Sequence, residues 1–174
     1  MKTMKKYMRS LPFAIVCLLV LSSAATFAQR RFMMLHASRP EMRVVLSASV
    51  ERNNTLVPVE KASIVKSGEI LDWTITSTNS GNAAARDYKT VGDIPAGTEF
   101  VEGSATADGS TSVTYSIDHG KTFSAHPLIE QRQADGSVKK VPAPVSMYTQ
   151  VRYEWADPLG ENGKLVAAYK VRLR

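Results

Sequence analysis

Apolar side chains recur at every second position along several short stretches of this 174-residue chain. The strongest patterning lies in residues 65–101. Leu71, Trp73 and Ile75 alternate with Asp72, Thr74 and Thr76, as in a strand with one buried face. Asn79-Ser80-Gly81-Asn82 interrupts with residues that tolerate positive φ, which predicts a turn. An extended run resumes over residues 88–91 and stops at Ile94-Pro95-Ala96-Gly97. There Pro95 lacks a ladder donor and Gly97 permits a tight bend. Residues 98–101 restart the pattern. Two or three antiparallel strands are marginal alone in water, so a second sheet must cover this unit.

The flanking segments repeat the period. Val44, Leu46, Ala48 and Val50 face one way and Arg43, Ser47, Ser49 and Glu51 the other, with Val45 a mild break. Asn53-Asn54 predicts a hairpin turn, and residues 55–65 its return strand, which Pro58 confines to a sheet edge. Residues 103–110 read as a loop. Val113, Tyr115 and Ile117 form the next buried face, and Asp118-His119-Gly120-Lys121 turns the chain toward Phe123. Residues 128–133 and 138–141 flank Asp135-Gly136, a strong hairpin signal, and Pro142-Ala143-Pro144 ends that excursion. Met147, Val151, Tyr153 and Trp155 align next, and residues 156–163 read as a loop. Leu165, Ala167, Tyr169, Val171 and Leu173 make the last strand. Strands spaced about every 8 to 15 residues, with no helical period, predict an all-β, immunoglobulin-like antiparallel β-sandwich over residues 42–174.

The start of the chain has a different character. Lys2, Lys5, Lys6 and Arg9 precede an apolar run over residues 11–21, and small residues follow to Ala28. This pattern predicts a secretory signal peptide over residues 1–28, cleaved after Ala28, with delivery to the periplasm or the exterior. A retained anchor would need about 20 apolar residues, and Pro12 and the Ser/Thr-rich end argue against one. Cys17 sits inside the apolar run and not at a lipid-attachment position. Residues 29–41 mix Arg30, Arg31 and Arg39 with Phe32, Met33, Met34 and Leu35 in no sustained period, and read as a basic, apolar arm.

Cleavage changes the charge. The chain has 22 Lys+Arg and 16 Asp+Glu, and the leader holds four of the former and none of the latter, which leaves 18 against 16. A net charge falling from +6 to +2 removes the main argument for nucleic-acid binding. The membrane is then met only through the leader. Removing 28 of 174 residues leaves 146 and no cysteine, so the exported body relies on its core, not on disulfides.

The central stretch also carries a resemblance. Leu71-x-Trp73-x-Ile75, Thr78-Asn79-Ser80-Gly81-Asn82 and Ile94-Pro95-Ala96-Gly97-Thr98-x-Phe100-Val101 resemble the DUF11 ("conserved repeat") domain family of bacterial secreted and surface proteins. Tyr115-Ser116-Ile117-Asp118-x-Gly120-Lys121-x-Phe123 and Tyr148-Thr149-x-Val151-Arg152-Tyr153-x-Trp155 extend the likeness, so that it covers residues 60–173 in a single copy. Gly92, followed by Asp93, stands where the family usually has an acid three positions before the Pro. The resemblance implies an immunoglobulin-like sandwich outside the cytoplasm and implies no activity.

Candidate chemistry is sparse. His36, His119 and His126 share no ligand spacing. Ser124 and His126 would share a strand face, but no Gly-x-Ser-x-Gly elbow accompanies them. Loop oxygens gather at Asp157, Glu161 and Asn162, with Asp108 and Asp93 in other loops. The first three are the calcium candidates, although calcium needs six to eight oxygens and ordinary turn chemistry explains each. Trp73 and Trp155 read as core, and Phe123 as the nearest loop aromatic for a sugar. The expectation is a non-catalytic structural or adhesive envelope protein without a cofactor. Its partners are other envelope or extracellular proteins, met by strand addition of the 29–41 arm near the Pro58 strand or the C-terminal strand. The alternative is a module that binds glycan or calcium through its end loops.

Overall fold

Period-two alternation folds here into two facing antiparallel sheets. The computed structural model describes residues 38–174 apart from Asn54 and Ser63. The predicted leader with its cleavage at Ala28, Cys17, His36 and residues 29–37 of the arm lie outside the described residues. In chain order the strands are β1 (Met42–Arg52), β2 (Thr55–Pro58), β3 (Ile70–Asn79), β4 (Lys89–Asp93), β5 (Thr98–Phe100) and β6 (Thr106–Ala107). They continue as β7 (Thr111–Ser116), β8 (Leu128–Arg132), β9 (Val138–Pro142), β10 (Gln150–Trp155) and β11 (Lys164–Leu173). The larger sheet runs β2-β1-β3-β11-β5, with β6 also on β11, and the smaller runs β4-β10-β7. β8 and β9 pair only with each other among the described strands.

The sheets meet where apolar alternation is cleanest. Val50, Leu71, Ile75, Phe100, Ala167, Tyr169 and Val171 come from the larger sheet and Val151, Tyr153 and Trp155 from the smaller. Burying each aliphatic side chain contributes about 1.5–3 kcal/mol. Two tyrosines clasp the sheets reciprocally. Tyr153 of β10 donates to the Ala168 carbonyl on β11 at 2.7 Å, and Tyr169 of β11 donates to the Asp93 carbonyl on β4 at 2.6 Å. Burial pushes both phenols far above their ordinary pKa, so both stay protonated donors.

Several elements differ from the sequence reading. The face predicted for β1 is buried only at Ala48 and Val50, while Val44 and Leu46 are exposed. The return strand predicted to residue 65 ends at Pro58, and a 3-10 turn over Val59–Lys61 follows. The loop predicted over residues 103–110 contains the short strand β6. Met147, aligned with the β10 face by sequence, sits exposed in a second 3-10 turn, Val145–Met147. The C-terminal strand is no edge, because β3 flanks it on one side and β5 and β6 on the other. β2, the Pro58 strand, is an edge as expected.

Asn79 departs most. It is the last residue of β3 rather than the start of a turn, and it is fully buried. Its side-chain oxygen accepts from the Glu41 and Gly81 amides, both at 3.1 Å. Its amide donates to the Ala83, Leu159 and Gly160 carbonyls at 2.7, 3.0 and 3.2 Å. One side chain therefore ties together the chain before β1, the β3–β4 connection and the β10–β11 loop.

Candidate functional site

The residues with candidate chemistry do not converge. Asp157 and Glu161 are exposed in the β10–β11 loop. Asn162 beside them adopts φ 56° and donates its backbone amide to the Asn79 carbonyl at 2.9 Å. Asp108 caps β11 by accepting the Val166 amide at 3.0 Å, and the Asp93 carboxylate accepts from Gln150 at 2.7 Å. Among the described residues no three His, Cys, Asp or Glu side chains come together as a metal set. The Asp108 and Asp93 carboxylates and the Asn162 backbone amide thus serve turn and strand-end geometry.

Ser124 and His126 are joined through a backbone amide. The Ser124 hydroxyl accepts the backbone amide of His126 at 3.1 Å, and the Ser124 backbone bridges Tyr115 of β7. His119 occupies a left-handed turn position, φ 58°, followed by Gly120 at φ 83°. That turn is organised by Asp118, whose carboxylate accepts from Thr122 Oγ1 at 2.6 Å, Thr122 N at 2.9 Å and Ser116 Oγ at 2.7 Å. The Thr122 and Ser116 donors favour the charged form and hold the Asp118 pKa down at about 2.

The aromatic residues divide between core and surface. Trp155 is buried, donates Nε1 to the Asp108 carbonyl at 2.9 Å and stacks on Tyr88 at 5.5 Å. Trp73 is partly buried, and its Nε1 meets no acceptor among the described residues. Phe123 lies under the Arg152 guanidinium, 4.2 Å from ring centroid to Cζ. Arg152 in turn pairs with Glu154 at 2.6 Å, and Glu154 with Lys89 at 2.9 Å. The side chain nearest to a sugar platform is thus engaged by a cation on the outer face of the smaller sheet.

What stands out instead is apolar surface at unpaired strand edges. The β8–β9 hairpin springs from the buried pair Pro127 and Ala143, joined by an Ala143 N to Pro127 O hydrogen bond of 2.9 Å. Gly136, φ 86°, closes its tip. Nearly every hairpin side chain is exposed, including Leu128 at 52% and Val138 at 57%. On β1, the consecutive Val44, Val45 and Leu46 are exposed at 51%, 48% and 54%. The hairpin was legible from Asp135-Gly136. The β1 patch had one signal, the break in alternation at Val45, which alternation alone assigns to a core strand. Comparison with protein-family models, with curated proteins and with solved structures finds no match to this chain.

Proposed function

We propose that this protein is an exported, non-catalytic β-sandwich that acts by presenting surfaces to other proteins, as a structural or adhesive component of the bacterial envelope. The observation that carries the reading is the β8–β9 hairpin. Two-stranded ribbons are marginal in water by themselves, and this one pairs with neither sheet among the described residues. It leaves ladder groups on both edges and Leu128 and Val138 in solvent. Such an element fits a contact surface for protein partners, through edge pairing and apolar contact. The leader-like first 28 residues and the resemblance to a family of secreted and surface proteins support export.

The test is fractionation of the producing host, with the mature mass measured. The expected product starts at Gln29 and remains with envelope proteins. Replacing residues 128–142 with a two-residue Asn-Gly turn releases it. An unprocessed cytoplasmic chain, or equal retention without the hairpin, overturns the proposal.

A further inference from the structure

β2 covers β1 only from Ser49 to Arg52, whereas β3 pairs with it from Met42 to Val50. From Met42 to Ala48, then, the outer edge of β1 meets no strand among the described residues. Edges of this length are usually blunted by Lys, Pro or a bulge, and residues 42–48 carry none of these and a single charge, Arg43. The outward backbone groups can be identified. The Ser80 amide donates to the Glu41 carbonyl at 2.8 Å from the β3 side. Alternation then directs the amides and carbonyls of Met42, Val44, Leu46 and Ala48 away from the sheet. Val44 and Leu46 also share the face that buries Ala48 and Val50, yet they are half exposed.

We infer that this edge pairs antiparallel with the same edge of a second copy of the chain, about a two-fold axis at Val44. Three registers compete. An axis at Arg43 sets two guanidinium groups opposite each other, a destabilising like-charge pair. An axis at Val45 places Glu41 of the second copy opposite Ser49, the position Pro58 of β2 already holds. The axis at Val44 avoids the charge pair and brings Arg39, rather than Glu41, level with Ser49, so the second copy's chain need only leave the ladder before Pro40. This axis sets Met42 against Leu46, Val44 against Val44 and Arg43 against Val45. It ends with Pro40, which has no amide hydrogen, opposite Ala48, the last free residue. The outward groups of Met42, Val44 and Leu46 then form narrow pairs with two hydrogen bonds each. Met42, Val44 and Leu46 of both copies merge into one apolar patch, and the two larger sheets become continuous. Such a contact is isologous, so every interaction occurs twice. A nine-residue ladder, Pro40 to Ala48, is smaller than the roughly 800 Å² per partner of a standard interface, so the dimer is reversible and depends on concentration.

Sedimentation velocity of the full chain, as its host produces it, tests this across a concentration series. The expected result is a monomer–dimer equilibrium. Leu46→Lys weakens it at least about tenfold by placing charge in the apolar patch without lowering the melting temperature, while Leu56→Lys, equally exposed on β2, leaves it unchanged. Cysteine cross-linking in a Cys17→Ser background fixes the register. Val44→Cys brings two Cα atoms to about 5.5 Å, within disulfide reach, and cross-links under mild oxidation. Leu46→Cys, on the same face but displaced along the strand from its copy, does not. A chain monomeric at every concentration overturns the inference, whether residues before Ser38 or another protein occupy the edge. So does a dimer that survives Leu46→Lys, or Leu46→Cys cross-linking as fast as Val44→Cys.

Discussion

The ring of Tyr169 lies directly on Gly92. A Cβ at position 92 would meet Tyr169 Cε1 inside contact distance, and would sit 2.8 Å from Cζ and 2.9 Å from the hydroxyl oxygen. The same tyrosine bonds the carbonyl of the next residue, Asp93. A side chain at position 92 would therefore push away the ring that clasps the two sheets. The packing at position 92 leaves room for no side chain beside Tyr169. Gly92→Ala is expected to destabilise by about 1–3 kcal/mol through overpacking. Tyr169→Phe, which keeps the ring and orphans the Asp93 carbonyl, should fall in a similar range of about 1–3 kcal/mol. Urea unfolding of both single mutants and the double mutant checks this. Because both changes act on one contact, their effects should be less than additive.

Asn79 yields the sharpest polar test. Removing its side chain orphans the Glu41 and Gly81 amides and the Ala83 carbonyl, and takes a second donor from the Leu159 and Gly160 carbonyls, which keep the Ala85 and Gly163 amides. Asn79→Ala should cost about 3 kcal/mol or more, since several buried groups lose partners together. Asn79→Asp sets a carboxylate against three carbonyls, so its folded-state pKa rises above the unfolded value of about 3.9. Stability tied to a raised pKa is present below the unfolded pKa and lost as pH rises through the folded one. The Asp variant should therefore lie closest to the native protein in acid and fall away toward neutral pH, as melting temperature against pH would record.

Asp118 predicts the opposite slope. Its pKa is lowered from 3.8 to about 2 by the Thr122 and Ser116 hydrogen bonds. A depressed carboxylate contributes stability above the unfolded pKa and loses it as pH falls through the folded one. Native protein should thus be more stable than Asp118→Asn at neutral pH, with the gap narrowing between about pH 4 and pH 2. A gap constant across that window would mean that the turn does not depend on the charge.

The pattern of what alternation revealed has a physical cause. β3, β10 and β11 were legible because they carry most of the core, so side-chain direction and burial coincide at Leu71, Ile75, Val151, Tyr153, Tyr169 and Val171. On β1 they separate. Direction is set by the pleat, but the cover on that face ends at Ala48 and Val50 and leaves Val44 and Leu46 exposed. No local pattern reports where that cover ends. Asn79 illustrates a second limit, since its type favours turns and only the assembled fold brings Glu41, Leu159 and Gly160 to it. The candidate oxygens were legible as turn residues, and that is the use the structure makes of Asn162 and Asp108.

The two tryptophans should report different environments. Trp155 is buried, hydrogen-bonded to Asp108 and stacked on Tyr88, whereas Trp73 is partly buried and its Nε1 has no acceptor among the described residues. Trp155→Phe loses the hydrogen bond and part of the stack, and should cost about 2 kcal/mol. Trp73→Phe removes an unpaired donor and should cost less, about 1 kcal/mol. Iodide quenching of each single-tryptophan variant, read beside urea unfolding, should show Trp155 the more protected.

The β8–β9 hairpin should be separable from the sandwich. Its base is closed by the Ala143 to Pro127 hydrogen bond, and its strands pair with neither sheet. None of its residues belongs to the core cluster or packs against it. Replacing residues 128–142 with Asn-Gly should therefore change the free energy of unfolding by no more than about 0.5–1 kcal/mol, the range of surface changes. The same replacement should lower the denaturant m-value little, because m follows the surface exposed on unfolding and the hairpin is already exposed. The contrast that matters is with β2, an edge strand that does reach the core through Val57. Val57→Ala removes packed apolar volume and should cost about 1–2 kcal/mol. If removing the hairpin cost more than Val57→Ala, Leu128 and Val138 would have to pack on the body, and the hairpin could not serve as a free contact surface.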